Sequence, residues 1–460
     1  MSFVRSISGI RATLNEGLKP DILSKYVSAY CNALPEGEIV VGRDGRPSGT
    51  WIEQLVVASI AACGRKVVRI GIAPTPTVQL ITEKSDAAGG IAITASHNPG
   101  NWNGLKFLNE YGVFLNQAEN EKFWNIYEQD LVAYSDNEQN SLITEDKDAV
   151  RLHINSILNT DLFDLESISE YLSSTNYKVV VDAVNASGSK YVPKLLELLG
   201  CEVVHLFTNN SGIFPHTPEP INENLTAICE AISEHNADLG IVVDPDADRL
   251  VLIDNNGNPI GEEKTIALAV KSVLRNKEKY IKGYSKEIVV NLSTSSMVDF
   301  IAKEYDAKVS RSAVGEINVV ELMKKTNAII GGEGSGGVIF PHVHYGRDSL
   351  VGVALVMQLI SQEKKSMSEL SSDLPQLIMN KNKIEVKENP KSIIEKLIQE
   401  FKDYNTDTTD GIRIEFEDKS WAHIRASNTE PIIRIICESS TEESSEKLTN
   451  TFIDKVKELF

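Results

Sequence analysis

The stretch KVVVDAVN, residues 178–185, decides the predicted fold, because a short β-branched strand ends there in polar residues. Two other stretches open in the same way, EIVVGRD at residues 38–44 and EIVVNLS at residues 287–293. A helical pattern follows each of them, and strands and helices alternate along most of the chain. Such alternation is typical of parallel sheets with helical crossovers, so the sequence predicts an α/β unit used three times.

The chain of 460 residues is longer than one hydrophobic core usually serves. Polar, turn-rich segments suggest boundaries that divide it into domains at 1–148, 149–257, 258–374 and 375–460. The last domain has a different pattern, in which a helical segment, alternating strands and a final helix follow one another. The start of that final helix is rich in N-cap residues, and we predict a small α+β domain here.

Acidic residues outnumber basic residues, 65 to 46, and the formal net charge is -19. The sequence has no run rich in Lys and Arg that could neutralise a nucleic-acid backbone, so nucleic acid is excluded as a partner. A phosphorylated substrate would have to be met by a few placed cations rather than by a broad positive field. Individual Arg and Lys residues are therefore informative.

The five cysteines are scattered and form no CxxC pair, which favours free buried thiols in a reducing cytoplasm. No stretch of about 20 apolar residues occurs, and the N-terminus lacks the continuous apolar segment of a signal peptide. We therefore expect a cytoplasmic protein that does not interact with a membrane.

The segment TASHNP, residues 94–99, follows the apolar run that ends at Ile93. Small and polar residues at the carboxyl end of a strand lie where open α/β sheets place their sites. Ser96 would be presented there on a tight turn ahead of Pro99, which makes it a candidate nucleophile. An ordinary Ser/Asn/Pro turn is the alternative.

The segment DPDADR, residues 244–249, places three carboxylates at alternate positions after another apolar strand. Asp244, Asp246 and Asp248 would repel one another unless a hard cation such as Mg²⁺ or Ca²⁺ gathered them. A metal site is therefore favoured over a solvated acidic turn. The segment lacks the loop pattern of an EF-hand.

Two further segments carry polar groups suited to a sugar phosphate. In GGEGSGG, residues 331–337, the glycines let the backbone approach a ligand closely, and the segment also supplies a carboxylate and a hydroxyl. A flexible Gly-rich turn is an equal alternative. RASNTEP, residues 425–431, offers a guanidinium, two hydroxyls, an amide and turn N–H groups, with Arg434 on the strand that follows. The second set is a candidate phosphate cradle, with an incidental polar hairpin as the alternative.

These four segments, in this order, resemble the α-D-phosphohexomutase superfamily of phosphoglucomutases, phosphomannomutases and phosphoglucosamine mutases. Similar pieces occur at residues 9–11, 41–44, 74–76, 103–106 and 313–315, so the resemblance spans nearly the whole chain. It implies three related α/β domains with mixed sheets plus a C-terminal α+β domain around a central cleft. It also implies transfer of a phosphoryl group through a phosphoserine enzyme and a sugar 1,6-bisphosphate, which also serves as activator.

The resemblance assigns roles to individual residues. Ser96 would be the phosphoserine and, together with Asp244, Asp246 and Asp248, would hold one Mg²⁺ per subunit. Glu333 and Ser335 would bind the sugar. The phosphate that is not transferred would be bound by Arg425, Ser427, Asn428, Thr429 and Arg434. Around the reacting phosphate would lie Arg11, His97, Lys106 and Arg249, without an assignment of the group that moves protons. The substrate would be a small sugar phosphate, and the enzyme a monomer or homodimer.

At two positions the sequence departs from the family pattern in a way that bears on which sugar is the substrate. Many relatives carry a His where Gly337 stands, and a His or Asp where Glu316 stands. The resulting loop resembles that of bacterial phosphoglucosamine mutases, which favours a hexosamine phosphate. A dual phosphomannomutase/phosphoglucomutase is the alternative of the same class, and a phosphatase or an inactive sugar-phosphate sensor are alternatives of other classes.

His342 and His344 are one residue apart and form a possible pair of transition-metal ligands. Neither a Cys nor a third His lies near them in the sequence, so a transition-metal site is disfavoured at this stage.

Overall fold

The N-terminal sheet contains seven strands in the order β1-β2-β6-β5-β3-β4-β7. The structure is a computed structural model that describes residues 3–136, 142–276, 283–386, 389–427 and 432–459. Parallel pairing joins β3 to β4 and β5, whereas β6 pairs antiparallel with β5. The elements of this part are β1 (Phe3–Ser6), β2 (Gly9–Thr13), α1 (Pro20–Ala33), β3 (Ile39–Arg43), α2 (Gly49–Ala62), β4 (Val67–Ile72), α3 (Thr75–Lys84), β5 (Gly89–Ile93), β6 (Trp102–Leu108), α4 (Gln117–Glu128) and β7 (Ile143–Glu145).

The second sheet has the order β11-β10-β8-β9, with β11 as its antiparallel edge. Its central strands are buried, apart from the half-buried Lys178 at the start of β8, as expected where helices cover both faces. The elements of this part are α5 (Ala149–Leu158), α6 (Leu165–Ser174), β8 (Lys178–Asp182), α7 (Gly188–Leu198), β9 (Glu202–Phe207), a 3₁₀ turn (Asn222–Asn224), α8 (Thr226–His235), β10 (Leu239–Val243) and β11 (Leu250–Ile253).

The third sheet repeats this arrangement in the order β13-β12-β14-β15, with β15 antiparallel. In the first sheet, β4-β3-β5-β6 follows the same scheme, so the predicted threefold use of one α/β unit is confirmed. The elements of the third part are α9 (Glu262–Arg275), β12 (Ser285–Asn291), α10 (Met297–Glu304), β13 (Lys308–Ser312), α11 (Glu316–Thr326), β14 (Ala328–Glu333), β15 (Gly337–Ile339), α12 (Ser349–Glu363) and α13 (Met367–Ser372).

The C-terminal sheet is antiparallel throughout, in the order β16-β20-β19-β18-β17, which confirms the predicted α+β unit. Its last helix begins after Thr441, whose hydroxyl accepts a hydrogen bond from the Ser444 N–H, as an N-cap does. The elements are β16 (Ile378–Glu385), α14 (Pro390–Glu400), β17 (Asn405–Asp407), β18 (Ile412–Glu415), β19 (Trp421–Ala426), β20 (Ile432–Ser439) and α15 (Glu442–Glu458).

The apolar cores show how these units are joined. One buried cluster runs continuously from Val40 to Leu374 and packs the first three units against one another. The C-terminal unit has a separate core and meets the third unit through polar contacts. Arg413 Nη1 donates to the Leu292 carbonyl oxygen at 2.6 Å, and the Ser296 N–H donates to Glu438 Oε1 at 2.9 Å. Polar contacts therefore contribute to the interface between these two units.

Two expectations from composition bear on the fold. All five cysteines are unpaired, and three of them are buried, which agrees with free thiols inside the protein. Among the described residues, no helix has both the length and the apolar character needed to cross a membrane.

Candidate active site

The functional loops meet in one cleft because parallel strands present their carboxyl ends at the same edge of each sheet. Ser96 follows β5, the three aspartates follow β10, and Glu333 ends β14. The cleft has a volume of about 450 Å³ and receives residues from all four units. Its lining includes Arg11, Lys106, Arg249, Glu333, Ser335, Arg425, Ser427 and Arg434, all of which the sequence singled out. Asn428 and Thr429 lie outside the described residues.

Ser96 is held in a strained, buried turn. Its φ of 50° lies in the left-handed region, which a serine adopts at a cost and which is concentrated at functional sites. The turn is fixed by the Ser96 N–H, which donates to Thr94 Oγ1 at 2.8 Å, and by Arg46 Nη2, which donates to the Ser96 carbonyl oxygen at 2.7 Å. The Ser96 hydroxyl donates to Asp244 Oδ2 at 3.0 Å. The predicted nucleophile therefore faces the predicted metal loop.

The three aspartates are fully buried, and one oxygen of each lies within 4.8 Å of the others. The Oδ1 atoms of Asp246 and Asp248 are buried without a hydrogen-bond partner among the described residues. Burial, followed by the charges of Asp248 and Asp246, raises the pKa of Asp244 well above its usual range. Unpartnered carboxylate oxygens that converge in this way suit a hard divalent cation. The donor set therefore fits the Mg²⁺ that the sequence predicts.

Lys106 contributes a buried positive charge beside this group. Its Nζ lies 2.6 Å from Asp246 Oδ2 and 3.0 Å from Asp248 Oδ2. Burial alone would lower the pKa of Lys106, but the charges of Asp246 and Asp248 raise it above its usual value. Lys106 is therefore an ammonium in the folded protein and serves to neutralise charge, not to accept a proton.

His97 lies beside the Ser96 hydroxyl, and two arginines act on its imidazole through their charge. The His97 Nδ1 atom lies 3.3 Å from Ser96 Oγ. The positive charge of Arg249, then burial and the charge of Arg11, lower the pKa of His97 well below its usual value. The imidazole is therefore neutral near pH 7 and can accept a hydrogen bond from a hydroxyl. Arg249 Nε is buried without a hydrogen-bond partner among the described residues and lies 3.9 Å from Asp248 Oδ1.

Glu333 is buried at the start of the glycine-rich loop and is held from two sides. Its Oε1 accepts from Asn291 Nδ2 at 2.8 Å and from the Gly315 N–H at 3.1 Å, and its Oε2 accepts from Arg347 Nη1 at 2.7 Å. Ser335, two residues later, lines the same cleft. The loop therefore lies at the cleft, and its role in binding the sugar stays a prediction.

The C-terminal unit brings a second cationic region to the cleft. Arg425 on β19 and Arg434 on β20 are direct partners across the antiparallel pair. Arg425 Nε donates to Asp410 Oδ2 at 3.0 Å, which orients its guanidinium. The two arginines and the metal loop thus belong to different units that face one cleft.

Four charged residues that line the cleft were given no role from the sequence: Glu263, Glu316, Arg347 and Lys381. Glu316 had been noted only as a departure from the family pattern. Lys381 Nζ donates to Glu263 Oε1 at 2.9 Å and thereby brings the C-terminal unit against the third. A charged residue outside a motif gives no sequence signal, because its role depends on which residues fold around it.

His344 belongs to a buried network with His153 and Asp348 that the sequence did not reveal. His153 Nε2 and His344 Nε2 lie 2.8 Å and 3.2 Å from the same atom, Asp348 Oδ2, and all three residues are buried. Thr77 Oγ1 lies 2.8 Å from His153 Nδ1. The network joins the first three units and caps α12 through the Leu350 N–H, which donates to Asp348 Oδ1 at 2.9 Å. His342 does not take part.

Comparisons with known proteins agree with this architecture. The family models for phosphoglucomutase/phosphomannomutase match in order, with α/β/α domain I at residues 5–132, domain II at 152–257, domain III at 262–378 and the C-terminal domain at 383–455. A "Phosphoglucomutase/phosphomannomutase" of Thermococcus kodakarensis is 37% identical and covers 98% of this chain and 97% of its own.

A "Probable phosphoglucosamine mutase" of Methanopyrus kandleri is 31% identical over 98% of this chain and 97% of its own. A crystal structure of a phosphoglucomutase/phosphomannomutase family protein from Burkholderia thailandensis superposes with a TM-score of 0.83, at 24% identity, covering 98% and 96% of the two chains. The sequence match, which extends over all four units, shows that this chain belongs to the phosphoglucomutase/phosphomannomutase family.

Proposed function

We propose that this phosphohexomutase interconverts the 6-phosphate and 1-phosphate of a hexosamine, and that glucosamine phosphate is its preferred substrate. One observation carries the proposal: a separate pair of arginines, Arg425 and Arg434, lines the same cleft as Arg249 of the metal loop, and the candidate nucleophile Ser96 donates to Asp244 of that loop. An enzyme that moves a phosphoryl group within one sugar phosphate needs both. It must hold one phosphate while the other reacts.

The metal loop supplies the electrostatic part of the reaction. Asp244, Asp246, Asp248 and Ser96 would hold Mg²⁺, one ion per subunit, and a bound Mg²⁺ would neutralise charge on the phosphoryl oxygens. The Lys106 ammonium balances the charge of two of these carboxylates, Asp246 and Asp248, at 2.6 Å and 3.0 Å. Arg11 and Arg249 line the cleft and add positive charge near the reacting phosphate.

The phosphoryl group moves in two balanced steps. In the first, a sugar hydroxyl attacks the phosphorus of phospho-Ser96, so that a new P–O bond to the sugar forms while the bond to Ser96 Oγ breaks. The hydroxyl proton leaves for a nearby base, and a sugar 1,6-bisphosphate results. In the second step, after the bisphosphate turns end over end, Ser96 Oγ attacks its other phosphorus. The new P–O bond to Ser96 forms while the bond from that phosphorus to the sugar oxygen breaks, the Ser96 hydroxyl proton leaves for a base, and the sugar oxygen takes up a proton. Added bisphosphate therefore serves as the activator by phosphorylating Ser96.

Arg425, Ser427 and Arg434 would bind whichever phosphate is not being transferred, with Asn428 and Thr429 as further predicted ligands. The polar interface between the third unit and the C-terminal unit lets the latter open and close over the cleft while the bisphosphate turns. We propose domains at 1–148, 149–257, 258–374 and 375–460, which the presence of four separate sheets supports, and we expect a monomer or homodimer.

The choice of glucosamine phosphate is supported by the loop around Glu333, whose carboxylate is suited to a hydroxyl or an ammonium at the sugar ring. The Methanopyrus kandleri relative carries the name of that activity, whereas the Thermococcus kodakarensis relative carries the name of the dual enzyme. A dual phosphomannomutase/phosphoglucomutase is therefore the second candidate. A phosphatase has no use for the remote arginine pair, and a silent sensor has no use for the strained Ser96.

The test is the ratio of kcat/KM values for glucosamine, glucose and mannose phosphates, with Mg²⁺ and a catalytic amount of sugar bisphosphate. A preference for glucosamine phosphate by about tenfold or more, roughly 1.4 kcal/mol in transition-state binding, supports the proposal. Equal or better rates with glucose or mannose phosphate would assign the dual activity instead. Release of inorganic phosphate without isomerisation would identify a phosphatase.

A further inference from the structure

Arg347 joins the sugar loop to the metal loop through a single guanidinium. Its Nη1 donates to Glu333 Oε2 at 2.7 Å, its Nη2 to Asp248 Oδ2 at 2.7 Å, and its Nε to Glu316 Oε2 at 3.0 Å. Each nitrogen of the side chain thus contacts a different carboxylate. Only the planar fork of an arginine makes three such contacts at once, and a lysine ammonium would not span them.

Gly337 makes room for this side chain. A Cβ atom at position 337 would lie 2.3 Å from Arg347 Cδ and 2.9 Å from its Cγ, which is closer than real contacts allow. The φ angle of Gly337 is not in the left-handed region, so its backbone does not by itself require glycine. Gly337 is the direct partner of Glu333 across the hairpin of β14 and β15, and Arg347 passes over it to reach Glu333.

The position of Arg347 is also fixed indirectly, through residues that hold one of its partners and its chain neighbour. Gln79 Nε2, on α3, donates to Glu316 Oε1 at 2.9 Å and so holds the carboxylate that Arg347 Nε contacts. The next residue, Asp348, is anchored by His153 and His344 in the buried network described above. The guanidinium is therefore oriented by groups from the first, second and third units.

This orientation sets the free hydrogen-bonding capacity of Glu333. A carboxylate offers about four acceptor sites, and three are used by Asn291, the Gly315 N–H and Arg347. The remaining site is available to one donor in the cleft. Rotation of the carboxylate would change which ring substituent of a sugar can reach that site.

We propose that Arg347 is a positioning residue that sets the direction of the Glu333 carboxylate and thereby the choice of sugar, and that Gly337 is glycine in order to admit it. The inference rests on the proposed function, because Glu333 must bind the sugar for its direction to matter. Arg347 acts through Glu333, so its loss alters sugar binding and discrimination.

The experiment is a double-mutant cycle of Gly337→Ala and Arg347→Ala. Dissociation constants for glucosamine 6-phosphate and glucose 6-phosphate are measured by calorimetry in a Ser96→Ala background, and kcat and KM are measured with Ser96 intact. Each single variant is expected to weaken sugar-phosphate binding by about tenfold to a hundredfold and to change the ratio between the two sugars. In the Arg347→Ala background, Gly337→Ala is expected to have no further effect, because the colliding side chain is gone.

Arg69→Met is the matched control, because Arg69 Nε also contacts a buried carboxylate, Glu53, at 2.9 Å but lies outside the cleft. If Arg347→Ala does not fold, Gly337→Ala and Arg347→Lys carry the test, and Arg347→Lys is expected to fold and to show the same altered sugar ratio. An unchanged sugar ratio, or independent effects of the two substitutions, would overturn the inference. A wild-type protein that isomerises no hexose phosphate would instead overturn the proposed function.

Discussion

The substitution Lys106→Met tests how the metal loop is held together. It keeps most of the side-chain volume but removes the ammonium that lies 2.6 Å from Asp246 Oδ2 and 3.0 Å from Asp248 Oδ2. Both carboxylates are almost completely buried. Breaking a buried ion pair by removing one partner costs about 3–5 kcal/mol, because the other charge stays buried without compensation. At roughly 2 °C per kcal/mol, we expect the apparent melting temperature in EDTA to fall by about 6–10 °C.

Bound Mg²⁺ would replace part of the lost positive charge, so the variant should be stabilised by added Mg²⁺ more than the wild type is. Thermal denaturation in EDTA and in a Mg²⁺ series measures both quantities. Lys25→Met is the control, because Lys25 Nζ lies 2.9 Å from Asp130 Oδ1 in an exposed pair, and no measurable change is expected there. A melting temperature of Lys106→Met equal to that of the wild type, with the same response to Mg²⁺, would refute the reasoning.

Three further outcomes are expected. Ser96→Ala should lower turnover by at least about a thousandfold while calorimetry still detects sugar-phosphate binding; residual activity near the wild-type level would contradict the phosphoserine mechanism. Burial, opposed by the charge of Lys381, raises the pKa of Glu263 to about 7. The carboxyl therefore loses its proton more readily in the unfolded protein, and the free energy of unfolding falls as the pH rises from about 4.5 to 7. The melting temperature of Glu263→Gln should rise relative to that of the wild type across this pH range, and a constant difference would refute this. Arg413→Met removes the hydrogen bond to the Leu292 carbonyl oxygen and the stacking of the guanidinium 3.8 Å over the Trp421 ring. The C-terminal unit should then open more often, and small-angle scattering should show a larger radius of gyration. An unchanged radius would mean that other contacts hold the C-terminal unit.

The central strands were predictable because their buried β-branched runs carry a strong local signal. The stretches at 38–44, 178–185 and 287–293 contain β3, β8 and most of β12, and each of these strands lies at the centre of its parallel set. The loops that follow strands were predictable for the same reason, since the carboxyl end of a strand is where an α/β sheet places its polar groups. Ser96 and the three aspartates could therefore be found before any fold was known.

The contacts made by Arg347 were not predictable, because they depend on residues far apart in the chain. Its three carboxylate partners lie at positions 248, 316 and 333 and come from two units. The same holds for His153, which joins His344 and Asp348 although it is nearly 200 residues away. A single arginine or histidine has many possible partners, and only the packing of the units selects among them.

The sequence by itself determined the repeated α/β unit, the nucleophilic turn and the acidic metal loop, because each is written in a short run whose chemistry is local. Tertiary structure alone decided which cations neutralise that loop, how Glu333 is oriented and why Gly337 has no side chain. The physical reason is that charge compensation and steric exclusion act through space over a few ångströms, and the fold decides which residues lie within that distance.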